Sequence, residues 1–447
     1  MASEQPTPWQ PDRRWADPLI SLLALLALLA AGYSLGIRQR QAQRPAERAG
    51  LHGRLVETTL AGPKILLGRE VAEKDWAKAR LQLKEPWDQA LLAVLRAELV
   101  DHPDGPPTEP AWKDLPTTPA TERFHQAWRA AYAGGPIPDA RSRIDVHRRL
   151  GSGFVADRFE ARLRDREGGG DALRTQALTA LQMRLVGLGM LGLLMGCMAL
   201  GGLVLGIYLL VTRHKAPPQA LPAWGMSGRA AAIILLTWFL AFFLSGQIAH
   251  LLLLPWPAAR WVAIPLGYLL HAAFGVSLIC RAEGLRVMDL WHRVAPGRAG
   301  SDLAWGAAFL GLAVLLVVAV ALVSNGLLKP DQNPQRDLQE LLRSLSGWAS
   351  TLSLFFTVAV LAPLFEELCF RGFLLPILAR GRSIGVALVL SALLFGAIHL
   401  QPVGLPTLAT LGFVMGLAMR HTGSLRAPVL MHACWNGTLF LLMRAFA

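Results

Sequence analysis

Glu366 and Glu367 are adjacent carboxylates inside an apolar run, with Arg371 four positions after the second. The segment reads Phe355-Phe356-Thr357-Val358-Ala359-Val360-Leu361-Ala362-Pro363-Leu364-Phe365, then the two glutamates, then Leu368-Cys369-Phe370-Arg371 and further apolar residues to Leu378. One ionised carboxylate at a bilayer centre costs roughly 2.5–3.5 kcal/mol on insertion scales, so three charges in such a run must meet partners or line a polar cavity. On a helix, residues four apart share a face while neighbours diverge by about 100°. Glu367 and Arg371 are therefore expected to form an intrahelical ion pair. Glu366 points elsewhere, and its carboxylate is left for acid or base chemistry.

Two later apolar runs carry the complementary groups: Phe395 with His399 in one, His432 with Asn436 in the last, each pair four residues apart. If the first two runs form a hairpin turning near Gly381-Arg382, Glu366 and His399 each lie about 16 residues from the turn. At 1.5 Å per residue that is ~24 Å for both, so they meet at matching depth. A glutamate beside an imidazole in a dry interior suits water activation, which needs a base and a second polar group to orient the water. His432 and Asn436 project from one helix face and offer donors to a developing oxyanion. The candidate catalytic set is thus Glu366, His399, His432 and Asn436, with Glu367, Arg371 and Phe395 in support. His250 and His271 lack such motifs and are expected to be packing histidines. His399, His432 and Glu366 would also make a three-ligand set of the kind zinc uses. No His-Glu-x2-His helix is present, however, and asparagine is a better hydrogen-bond donor than transition-metal ligand. The expected chemistry requires no cofactor, with zinc or another divalent metal as the alternative.

The elements that must position these groups are membrane helices. Hydrophobic residues make up 53% of the 447-residue chain and the mean hydropathy is +0.38. Nine apolar runs are long enough to cross a hydrocarbon core of about 30 Å: 18–37, 185–212, 230–254, 261–280, 303–328, 349–379, 383–400, 404–420 and 427–443. The expected fold is an all-α polytopic membrane protein with a core of about eight helices at 185–447. A membrane anchor at 1–37 and a soluble, mainly helical domain at 38–184 precede it. The first run also has the make-up of a secretory signal, but it is long for one. Residues 38–184 are charged, hold Trp76, Trp87, Trp112 and Trp128, and are broken by a proline-rich stretch from Pro103 to Pro119. Gly168-Gly169-Gly170 reads as a linker. No catalytic grouping is legible in this part.

The net charge is +13. A basic excess can mark nucleic-acid binding, yet this one flanks apolar runs, and no zinc-finger spacing, P-loop or dinucleotide fingerprint appears. Nucleic acid is therefore not an expected partner; the lipid bilayer is. Cys197, Cys280, Cys369 and Cys434 all fall in apolar runs and make no disulfide framework. Loops 213–229, 281–302, 380–382 and 420–426 carry 11 Lys/Arg against 5 in the alternate set. The positive-inside rule puts the first set and the N-terminus in the cytoplasm and 38–184 outside. Arg38, Arg40, Arg44 and Arg48, directly after the first run, pull the other way.

Glu366-Glu367-x3-Arg371, Phe395-x3-His399 and His432-x3-Asn436, in that order, resemble the three motifs of the CAAX-processing and bacteriocin-processing (CPBP) intramembrane proteases. Arg420-His421-Thr422-Gly423-Ser424-Leu425-Arg426-Ala427-Pro428 is also similar to what bacterial members carry. The resemblance covers 349–447 closely, extends to 185–348 as the rest of a helical core, and is absent over 1–184. It implies an integral multi-pass hydrolase of a bacterial inner membrane, often called a metalloprotease, that cleaves peptides or proteins at the membrane. By motif, it makes Glu366 the general base and His399 its water-orienting partner. His432 and Asn436 would hold the oxyanion, and Glu367 and Arg371 would support the site. The alternative is a transporter or peptide-binding scaffold using the same polar cluster, though no repeated half with a matching broken span is visible. The sequence leaves substrate and oligomeric state open.

Overall fold

The computed structural model describes residues 8–42, 49, 51–83, 85–99, 117–151, 153–212, 219–297, 299–328, 342 and 347–446. Every regular element among them is helical. In chain order these are α1 (Arg13–Ala42), α2 (Leu51–Leu67), α3 (Glu73–Gln82), α4 (Pro86–Leu99), α5 (Pro119–Tyr132), α6 (Ala140–Leu150), α7 (Phe154–Asp165) and α8 (Asp171–Thr212). There follow α9 (Gly228–Leu252), α10 (Ala263–Glu283), α11 (Val287–Val294), α12 (Ala299–Leu328), α13 (Trp348–Leu378), α14 (Ile384–Ile398), α15 (Leu405–Thr422) and α16 (Arg426–Phe446). Each of the nine expected spans falls on one of these helices. Six are long and apolar enough by themselves to cross a membrane: Arg13–Gly36 within α1, then α8, α9, α10, Ala299–Ser324 within α12, and α13. The helix α14 has 15 residues, and α15 and α16 carry the polar groups that dilute their hydropathy. The chain is an all-α polytopic membrane protein.

Two compact units divide the chain. The first comprises Met1–Gln41 and Leu194–Leu441. Within it α9 packs on α10, α14 on α15, and α12 on α15. The α13–α14 connection is the expected tight turn: Gly381 has φ +69°, and Ser383 caps α14 by accepting from the Val386 N–H. One end of this unit is laced by hydrogen bonds. Glu283 accepts from Met226 N (2.7 Å), Gly225 N (3.0 Å) and Arg293 Nη1 (2.8 Å). Arg380 donates to the Met226 and Trp224 carbonyls, Arg426 to Asp302, and Leu425 N to Val294 O. Trp9 N joins them through Ala282 O at 2.8 Å. The joined segments belong to the loops with the larger Lys/Arg count, so these basic loops share one end with the N-terminal segment.

The second unit comprises Ala42–Leu193 and Leu442–Ala447. Trp76, Trp87, Phe124, Trp128, Phe154 and Phe159 are in its core. Trp112, Arg44, Arg48 and the stretch 100–116 lie outside the described residues. Gly168 turns the chain between α7 and α8 with φ +89°. α8 begins 14 residues before the expected span, because Ala177 and Leu181 on its first turns belong to this core. Under the aromatic cluster lies a fully buried ion pair. Arg54 Nη1 donates to Glu57 Oε2 (2.7 Å) and Nη2 to Leu150 O (2.6 Å), while Glu57 Oε1 accepts from Val155 N (2.9 Å). Removing one partner of a buried pair strands the other charge, at a typical cost of about 3–5 kcal/mol. Glu57→Ala is therefore expected to lower the unfolding midpoint of this unit and expose it to limited proteolysis. A Glu57→Leu/Arg54→Met double variant should lose less than either single change. Additive losses would show that the pair is not the stabilising contact.

Candidate active site

The local structure of α13 follows from two prolines. A π turn spans Thr357–Leu361, where Ala362 N donates five residues back to Thr357 O. The next acceptor in that register is Val358 O, whose donor would be Pro363, and proline has no N–H. Asn436 supplies the missing donor: its Nδ2 lies 3.1 Å from Val358 O. A second π turn spans Leu368–Leu374, followed by Pro376, which cannot return a bond to Gly372 O at the α spacing. Here the Trp224 indole donates to Gly372 O at 3.1 Å. Between the two π turns, the α-helical stretch Ala362–Glu367 carries both glutamates. Single π turns inserted in α-helices occur often at functional sites.

Glu367 is fully buried. Its Oε1 accepts from Arg371 Nη1 and faces His432 Nδ1, each at 2.8 Å, so the pair expected from the spacing is present. Arg371 Nη2 donates to Gly412 O (2.8 Å), and the guanidinium lies 4.4 Å from the centroid of the Phe395 ring. A Cβ on Gly412 would come within 3.0 Å of the Phe395 ring and 3.1 Å of Arg371 Nη2, which explains the glycine. Phe395 is itself fully buried and meets three further rings edge-on: Phe370 (5.3 Å between centroids), His399 (5.0 Å) and His432 (5.6 Å).

Glu366 points away from this pair, with its side chain 19% exposed. Its Oε1 accepts from the Tyr268 hydroxyl at 3.2 Å. Its Oε2 is buried, without a hydrogen-bond partner, and 3.9 Å from His432 Nε2. An ionised carboxylate only accepts. A neutral His432 must therefore carry its proton on Nδ1, facing Glu367, and turn the Nε2 lone pair toward Glu366 Oε2. Two acceptor atoms then face each other and call for a hydrogen donor between them.

His399 caps the end of α14, its Nδ1 2.7 Å from Phe395 O. Leu400, directly after it, has φ +54°, the one positive φ of a non-glycine among the described residues. The left-handed conformation costs a residue with a Cβ roughly 1–2 kcal/mol, and such strain tends to cluster at functional sites. The structure thus seats His432 between the two glutamates and joins it to His399 through the Phe395 ring. Asn436 is set on the backbone of the helix bearing Glu366. His271 packs edge-on against Tyr268 and Phe242, with Nδ1 unpartnered.

Sequence reasoning missed Tyr268, Gly412 and Trp224. Tyr268 is one of only four tyrosines in the chain and sits in mid-span, which is the one available signal; its partner depends on how α10 meets α13. Among the described residues no three His, Cys, Asp or Glu side chains converge as a metal-ligand set.

Residues 348–438 match the family model described as Type II CAAX prenyl endopeptidase Rce1-like, so the chain carries an Rce1-like domain there. The match covers about a fifth of the chain and includes every candidate residue from Glu366 to Asn436. No curated protein and no solved structure matches the chain.

Two substitutions test this geometry. Asn436→Ala leaves Val358 O without a donor and is expected to destabilise the protein by about 1–3 kcal/mol, read as a lower midpoint in a detergent-solubilised thermal melt. An unchanged melt would mean that the Asn436–Val358 bond contributes nothing. Gly412→Ala overpacks Arg371 against Phe395, at a typical cost of about 1–3 kcal/mol; a variant as stable as wild type would show that the contact has slack.

Proposed function

We propose that the Rce1-like domain is an intramembrane endopeptidase that hydrolyses peptide bonds of membrane-associated proteins or peptides with water activated by Glu366. The observation that carries this reading is the imidazole of His432 between two carboxylates. With the proton of a neutral imidazole on Nδ1, toward Glu367, Nε2 and Glu366 Oε2 face each other as acceptors 3.9 Å apart. A water donating to both satisfies them and is held with its oxygen lone pairs free for attack.

In the proposed reaction Glu366 Oε2 takes one proton of that water as its oxygen bonds to the scissile carbonyl carbon. The carbonyl π electrons move onto oxygen as an oxyanion. The amide of Asn436 has a second N–H beyond the one on Val358 O, and it serves this oxyanion as a preorganised donor. The tetrahedral species collapses with cleavage of the C–N bond, and Glu366 returns its proton to the leaving nitrogen. One water is consumed, and a carboxyl and an amine terminus form. His399 is assigned the second water-orienting role that its motif implies, and Arg371 holds Glu367. The laced basic end faces the cytoplasm, where the positive-inside rule places it.

Peptide cleavage in proteoliposomes tests this. Glu366→Gln is expected to lower kcat by at least a hundredfold, within the range of a lost general base. Tyr268→Phe, which frees Oε1 and lets the carboxylate rotate, should lower kcat by about tenfold with KM within a factor of two. Equal product from wild type and Glu366→Gln would sink the catalytic reading and favour a relay or scaffold role. Loss of cleavage on chelation, restored by zinc, would overturn the metal-free step.

A further inference from the structure

A cavity of about 340 Å³, open to the outside along one face, lies between α9 and α10, with Phe242, Ser245 and Gly246 on one side and Ile264, Tyr268 and His271 on the other. That is within the usual size range of ligand pockets. Tyr268 belongs to both places: it lines the cavity, and its hydroxyl reaches Glu366 Oε1. The cavity thus begins one phenol ring from the proposed base. We propose that this cavity is the pocket for a large apolar side chain of the peptide substrate, at a residue next to the bond that is cut. The proposal rests on the endopeptidase reading above.

What selects a peptide over a lipid chain as the occupant is continuity with Glu366, since an occupant seated against Tyr268 has its backbone beside the attacking carboxylate. The helix face at the mouth is also kept open by glycine. A Cβ built on Gly246 meets nothing within 4 Å, whereas one on Gly267 would lie 3.2 Å from Gly246 Cα. A side chain at 246 therefore extends into the cavity without disturbing the α9–α10 contact.

Gly246 supplies the test. Wild-type protein, Gly246→Leu and Phe242→Ala are reconstituted with a library of transmembrane peptides, and the products are sequenced by mass spectrometry. Wild-type products are expected to show Leu, Phe or Met at one fixed position beside the cut. Filling the cavity by Gly246→Leu should lower the kcat/KM ratio of Leu over Ala at that position by roughly 10–200-fold, the discrimination that small apolar size differences support. Enlarging it by Phe242→Ala, which keeps the test alive if Gly246→Leu fails to fold, should raise the ratio of Phe over Leu. The same preference in all three proteins, or an equal loss for every peptide, overturns the pocket. A binding arm separates this proposal from the one beneath it: a Leu/Ala transmembrane peptide bearing one diazirine-leucine is photolysed with the Glu366→Gln variant. Cross-links within 242–271 that Gly246→Leu abolishes, with no cleavage by wild type, would keep the pocket and sink the endopeptidase. Cleavage without those cross-links would do the reverse. Labelling there by a diazirine-bearing phospholipid alone would make the occupant a lipid and overturn the proposal.

Discussion

The fully buried ion pair between Glu367 and Arg371 is the constraint around which the polar interior is arranged. Desolvating two charges costs several kcal/mol per ion, and their mutual attraction offsets this only when further hydrogen bonds are made. Here the further bonds come from two other helices. α13 supplies both charges, α15 offers Gly412 O, and α16 brings His432. The ring of Phe395 on α14 covers the guanidinium. Four helices are thereby fixed in rotation about one point, and Glu366, adjacent in sequence but a third of a turn away, is aimed without being consumed by the pair. The network is not fully saturated: Glu367 Oε2 and Arg371 Nε are buried without partners. A low-dielectric network with such gaps is highly sensitive to any change in its members.

The backbone of α13 makes a second, linked arrangement. Proline in a helix interior removes a donor and orphans a carbonyl. In this helix both prolines follow π turns, and tertiary donors take up acceptors that they leave, Asn436 at Val358 and Trp224 at Gly372. The helix is irregular on both sides of the two glutamates, and the irregular turn before them is held by Asn436, a member of the candidate site. Irregular backbone at membrane depth is tolerated only where it is buried in protein or lines a cavity.

A good part of this was open to sequence reasoning. The helices followed from apolar runs of spanning length. The Glu367–Arg371 pair followed from a spacing of four, which survived the π turn beginning at Leu368. The motif pattern singled out the stretch that the Rce1-like match covers. Counting residues from the hairpin turn was a weaker guide, because it assumed an even α-helical rise. Turns closed by five-residue hydrogen bonds change both rise and phase; counting offered His399 as the partner of Glu366 and gave no sign that His432 stands 3.9 Å from that carboxylate. Tyr268 and Gly412 lay beyond such reasoning altogether, since neither forms part of a periodic motif.

By itself the sequence determined which residues share a helix face, because the period of a helix is a property of its own backbone and needs no partner. It likewise determined that charges buried in apolar runs must be paired. Only the tertiary structure decided which helices turn those faces toward one another: His432 between the two glutamates, Tyr268 on the free carboxylate, Asn436 on an orphaned carbonyl. Those choices depend on side-chain packing between segments 65 to 98 residues apart along the chain. No local spacing encodes them, because the rotation of one helix about its axis is set by the surfaces of the others.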